Sequence, residues 1–410
     1  MQRFVRILFF CVIAVSSGAF LYCVTFEAAK AMLDFAQELK NNQPFTTRER
    51  YLGGDTITQE YHGFNPLLIA AYFGSLQDIE FLLKKNQSTY LVDLEGKDVL
   101  RMLAGSVQAA DNTYSAQAIK LILGCTNQDN GARSLTLASR LGHVYKVTAL
   151  LEKVSVYDQS SLSRLRLLLN GLQSTYKKIE QRLITARDNP KSFILTNQAS
   201  LGSRNTENTE ALLDVVGQFY QDIVVNNLFN DAACTRLKSL PSFNSQDLWG
   251  YSPLMIAARG KNKDAFNFLI NQNSSISAVE WRFVNFFGDT ALSLAAGNDF
   301  YQGLDLGGMD GSIVDGLTSA EVAREQDSLY LVKQLYTIIP KHENGDPDGV
   351  ALAAALRAGF YTVVDLLLQE GYYTREVLQK QIDFLENLQK KYTEILSLLD
   401  SRLQNLVKNK

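Results

Sequence analysis

Short apolar runs broken by a glycine recur along this chain. The clearest is GFNPLLIAAYFGSLQDIEFLL, residues 63 to 83. Asn65 suits a helix N-cap, because its side-chain oxygen can accept a backbone N–H of the first turn. Pro66 follows at the first helical position, where its missing N–H costs nothing. Leu67, Ile69, Ala70 and Ala71 predict a short inward-facing helix, which Gly74 ends by tolerating positive φ. Ile79, Leu82 and Leu83 then supply the apolar stripe of a second helix. The pattern predicts an antiparallel helix pair that is too small to bury its own apolar faces, so it needs stacked neighbours.

Related segments supply them. GYSPLMIAARGKNKDAFNFLI begins at Gly250, with Ser252 as cap and Pro253 after it. FGDTALSLAAGND holds Gly288 and the cap Thr290, and GARSLTLASRLGHVYKVTALL begins at Gly131. Looser copies start at Gly96, Gly316 and near Gly349. Gly63, Gly96 and Gly131 are 33 and 35 residues apart, and Gly250, Gly288, Gly316 and Gly349 are 38, 28 and 33 apart.

A period near 33 built from two helices and a turn resembles the ankyrin-repeat family, whose consensus runs G-x-T-P-L-H-L-A-A-x-x-G-H. The copies at Gly63 and Gly250 keep the glycine, proline, leucine and double alanine. Asn65 and Ser252 replace the family threonine with other capping residues, and Thr290 keeps it. The family histidine is absent; Leu68, Met255, Ser293 and Thr136 stand there, which predicts less uniform stacking. The resemblance covers about 240 of the 410 residues.

Two segments depart from the array. Leu165, Leu169, Leu172, Tyr176, Ile179, Leu183 and Ala186 recur at steps of four and three, as do Leu388, Tyr392, Ile395 and Leu399, followed by Leu403 and Leu406. Each predicts a long helix with one apolar seam. LQSTYKKIEQRL and LQKKYTEILSLL share L-Q-x-x-Y-x-x-I-x-x-x-L; Leu172 and Leu388 are 216 residues apart, and Gly142 and Gly359 are 217 apart. The chain therefore reads as built twice. The expected fold class is all-α, an ankyrin-like α-solenoid in two blocks, each followed by a long helix. The expected divisions are 1–30 as signal or anchor, 50–155 as first block, 156–187 as long helix, 188–210 as loop, 211–371 as second block and 372–410 as C-terminal helix. Each long helix is expected to fold back over its own last repeat as a cap. The sharper alternative is a coiled coil that makes a homodimer through residues 374–408.

Composition adds the compartment. Arg3 and Arg6 precede an uncharged run from Ile7 to Phe26, with small residues at Ser17, Gly18 and Ala19. This predicts export, either with cleavage of the segment or with residues 7–26 kept as a membrane anchor. Forty basic and 43 acidic residues give a net charge of −3, which leaves no electrostatic footprint for nucleic acid. Cys125 and Cys234 could pair; no C-x-x-C exists.

Catalytic motifs are absent: no G-x-S-x-G, H-E-x-x-H or phosphate-binding loop occurs. His62, His143 and His342 lie far apart. GLDLGGMDGSIVDG, residues 303 to 316, lacks calcium-loop spacing and reads as a long finger between repeats. No catalytic residue, cofactor or metal is expected. The resemblance instead implies a protein partner held by the turns that flank the repeat glycine and by the positions after the double alanine. Carried onto this sequence, those are Tyr61, Phe64, Tyr72, Phe73, Trp249, Tyr251, Arg259, Phe286 and Asp289. The expected function is a non-catalytic protein-interaction scaffold, exported or membrane-anchored, and host-directed if the source is a host-associated bacterium. The alternatives are an enzyme with a site in the helical inserts and a tether that dimerises through its C-terminal helix.

Overall fold

A computed structural model of the chain describes residues 26–52, 65–85, 98–106, 108–126, 133–153, 157–189, 210–240, 242–243, 245–272, 283–298, 313–314, 317–339, 345–346 and 348–408. The first half contains α1 (Phe26–Lys40), α2 (Pro66–Phe73), α3 (Leu76–Lys84), α4 (Val99–Gly105), α5 (Thr113–Thr126), α6 (Arg133–Arg140) and α7 (Val144–Lys153). The long α8 (Gln159–Asp188) follows. The second half contains α9 (Glu210–Tyr220), α10 (Asp231–Lys238), α11 (Pro253–Gly260), α12 (Lys263–Gln272), the short α13 (Ala291–Ser293), α14 (Ser319–Ile338), α15 (Val350–Ala358) and α16 (Tyr361–Glu370). The long α17 (Arg375–Lys408) ends it. Two-residue strands, Ile313–Val314 and Leu317–Thr318, pair antiparallel beside α8.

The helix pairs form where the caps place them. Asn65 Oδ1 accepts the Leu68 N–H at 2.9 Å, Pro66 opens α2, and Gly74 closes it at φ 70°. Ser252 caps α11 through the Met255 N–H, and Thr290 caps α13 in a reciprocal box with Ser293. First helices stack on first helices, α2 to α4 to α6 and α11 to α13 to α15; second helices stack likewise, α3 to α5 to α7 and α12 to α14 to α16. The fold is an all-α solenoid of helix hairpins. The helix α1 extends it at the front, burying Met32, Phe35, Ala36 and Leu39 against α2.

The long helices correct one expectation. Neither closes its own block alone: α8 packs along α16 of the second half, and α17 packs along α6 and α7 of the first. Between them they run antiparallel, with Arg166 beside Asp400, Gln389 bonded to Glu180 and Arg187 bonded to Gln379. The seam of α17, from Leu378 through Leu388 and Tyr392 to Leu399, is buried in these contacts. The surface expected to join two copies is thus used within one chain. The physical reason is proximity: a seam presented within the same molecule meets its partner at high effective concentration.

Cys125 and Cys234 are both free thiols, one exposed and one half-buried. The apolar run 7–26 lies outside the described residues except for Phe26, as do residues 190–209 and most of 303–316. Among the described residues no helix is long and apolar enough to cross a membrane.

Candidate functional site

Two equivalent turns shape the aromatic region. In the first, the Tyr251 N–H donates to Asp247 Oδ1 at 2.7 Å; in the second, the Asp289 N–H donates to Asn285 Oδ1 at 2.8 Å. Each Asx side chain closes its own five-residue turn. The turns are also joined, since the Phe286 N–H donates to Trp249 O at 2.7 Å. Trp249 and Phe287 hold matching positions 38 residues apart and stack at 5.6 Å with planes 15° apart. Phe286 meets Trp249 edge-on at 5.4 Å.

The first half then covers these rings. Tyr72 meets Phe287 edge-on at 5.2 Å, and Phe73 approaches Phe286 at 6.4 Å. Lys40 Nζ lies 4.7 Å from the Phe286 ring centre and donates to Phe286 O at 2.5 Å. Burial pushes the Tyr72 hydroxyl well above its ordinary pKa, and the Asp289 carboxylate adds to the rise.

This overturns most of the expected partner-binding set. Trp249 is 1% exposed, and Tyr251, Arg259, Phe286 and Asp289 are also buried. Tyr72 and Phe73 are half-buried and face the other half of the chain. Arg259 donates to the Tyr251 hydroxyl and lies 5.3 Å from the Tyr220 ring centre, inside the second half. Tyr61 and Phe64 fall outside the described residues. Large aromatics at repeat turns suit a partner surface and an internal seam equally well, and here they form the seam.

Deeper in the same junction, Arg140 at the end of α6 pairs with Glu321 near the start of α14, with both side chains buried. Glu321 also accepts the Thr318 N–H at 2.5 Å, which completes a capping box on α14. Sequence reasoning missed this pair. It also missed the lysines that replace the absent repeat histidine as ties. Lys146 Nζ donates to Leu103 O, Ser106 O and Ala109 O at 2.9–3.1 Å. Lys261, at a left-handed φ of 53°, reaches Leu294 O and Ala295 O. Burial lowers the Lys146 pKa to about 7, against the pull of Asp111. Lys261 directly follows α11 and Lys146 sits in the first turn of α7, so the two share no position in the repeat that would have marked them.

The outer side differs. Tyr114 opens α5 and is 64% exposed; Tyr145, near the start of α7, is 52% exposed. Asp111 joins their turns by accepting the Tyr145 N–H at 3.4 Å and the Lys146 N–H at 3.2 Å. Elsewhere, a cleft of about 230 Å³ between α8 and α16 is lined by Arg182, Thr185, Leu368, Tyr373 and Leu378 among others. Its walls are largely apolar. Tyr373 points its hydroxyl inward to Asp346 at 3.0 Å, and Arg182 is paired with Asp365. Among the described residues no group of three or more His, Cys, Asp or Glu could hold a metal ion.

Residues 249–281, which begin at Trp249 and include α11 and α12, match the family model for the ankyrin repeat. This stretch is an ankyrin repeat. No curated protein matches the sequence. Among solved structures, the ankyrin repeat domain of Bcl-3, described as a unique member of the IkappaB protein family, aligns at 12% identity. That alignment covers 58% of this chain and 95% of that one, with a TM-score of 0.21, and so loose a superposition carries no structural argument. Ankyrin repeats serve protein–protein interaction in general. In this chain the turns that flank the repeat, around Trp249 and Phe286, are already occupied by its own first half.

Proposed function

We propose that the chain is a non-catalytic protein-interaction scaffold that meets its partner on the outer faces of the first-half repeats. The observation that carries this reading is the pair Tyr114 and Tyr145, exposed on adjoining repeats while the inner aromatics are covered. Tyrosine offers broad contact area at low entropic cost, which suits a binding face. The Arg-flanked apolar run at residues 7–26 supports export, with the segment cleaved or retained as an anchor, and a host protein is then the partner class to seek first.

The test replaces both tyrosines, Tyr114→Ala with Tyr145→Ala, in the full chain. The expected result is unchanged melting and loss of the proteins that the wild type captures from host extract. Capture at wild-type level would overturn the assignment to this face. Fractionation of cells expressing the full chain tests the export reading separately; recovery only with cytoplasmic protein would end it.

A further inference from the structure

Contacts around Tyr176 and Tyr392 repeat reciprocally between the two halves, the pattern of an approximate twofold axis between those residues. These residues are 216 apart in sequence, and their rings lie 5.8 Å apart in the antiparallel pair of α8 and α17. Each donates its hydroxyl across the axis. Tyr176 Oη reaches Arg357 O at 3.3 Å, and Tyr392 Oη reaches Arg140 O at 2.5 Å. Arg140 and Arg357 are counterparts, each two residues before a repeat glycine. The close approaches are reciprocal too. A methyl built on Gly359 would lie 2.9 Å from Leu172 Cδ2, and one built on Gly142 would lie 2.7 Å from Leu388 Cδ1.

Equivalent contacts made twice across a twofold are the signature of an isologous dimer interface. Here both partners sit on one polypeptide. The contacts that lack a counterpart say which pairing is preferred. Arg140 is buried against Glu321, but the matching stretch of the first half, AGSVQAA at residues 104–110, has no carboxylate. Arg182 donates to Asp365 at 2.7 Å, while the residue that matches Asp365 is Thr148. A pair of first halves would therefore bury Arg140 with no acid opposite it, which is strongly unfavourable.

We infer that the chain is a covalent pseudodimer whose first half, through α6–α7 and α8, is a selective docking surface for the second half and rejects a copy of itself. The partner that fits this surface is the second half, supplied by the same chain or by another copy. The inference concerns the inner junction and does not depend on the outer tyrosines.

The experiment uses the full chain with a protease site inserted between Ser200 and Leu201. After folding and cutting, both fragments should elute together at the mass of the intact protein. Separation under native conditions would overturn the proposal. The cut chain is then unfolded and refolded with an excess of tagged first half. The tag should recover second half in preference to untagged first half by about tenfold or more. Equal recovery of both would overturn the selectivity. In a version carrying Arg140→Met with Glu321→Leu, the fragments should still elute together while the preference falls toward equality. An unchanged preference would overturn the role of that pair. Should that version fail to fold, the elution and recovery of the unaltered cut chain still decide the matter.

Discussion

Trp249, stacked on Phe287 and sealed by Phe73 and Tyr72 through their ring neighbours, behaves as core. Trp249→Ala should cost about 3–5 kcal/mol, the range for an aromatic lost from a packed interior. A melting shift within error would show that the ring is dispensable to the fold. His143 provides a second residue-level test. Its Nδ1 lies 3.2 Å from Ala104 O, and burial, helped by Lys146 and Lys391, lowers its pKa to about 3. An unfolded histidine takes its proton near 6.5. Between those values the unfolded chain binds the proton first, so stability is full above pH 6.5 and falls as pH drops toward 3. Burial raises Asp111 and Asp346, which slope the other way, so the comparison belongs between wild type and His143→Asn. Denaturant melts should show wild type losing about 2 kcal/mol relative to the variant from pH 7 to pH 5. At this scale the sequence was only half legible. Asn65, Ser252 and Thr290 were recognisable as caps because capping needs only a side chain and its next three residues. The destination of Trp249 or Arg140 was not, because it depends on residues more than 30 positions away.

The hairpin helices were the most readable elements, since a cap, a proline, two alanines and a glycine act locally. The front helix α1 was missed, although Met32, Phe35, Ala36 and Leu39 follow helical spacing and are all buried. The uncharged run just before it drew the boundary too far along the chain. Both long helices were visible through their seams, but a seam does not state what covers it. Gly142 and Gly359, at φ 68° and 74°, sit where a long helix from the other half passes close by. Gly142→Ala and Gly359→Ala should each cost about 1–3 kcal/mol, through left-handed strain plus displacement of Leu388 or Leu172. Gly124→Ala, in a helix with open space around it, serves as control and should not destabilise. Equal melting temperatures for all three variants would contradict the close approach.

For the molecule as a whole, the internal repeat of 216 residues was legible and the exchange of long helices was not. Repetition is written along the chain, whereas which block receives which helix is decided by packing between segments some 200 residues apart. Burial of the α17 seam carries a clear expectation for residues 27–410. Sedimentation should give a monomer at high micromolar concentration, because the surface that would join copies is covered. A concentration-dependent dimer would show that apolar surface remains available. The expected partner groove also changes its place at this scale: inner turns face one another, and the outer turns around Tyr114 and Tyr145 face solvent.

The crossing of α8 and α17 also changes how the molecule comes apart. An open stack of repeats can unravel stepwise from whichever terminus is weaker, each unit leaning only on its neighbours. Here the last helix of the chain braces the closing hairpin of the first half, α6–α7, and the helix at mid-chain braces α16 near the end of the second. The hairpins that carry the straps, α6–α7 and α15–α16, therefore lose packing in both halves when either strap loosens.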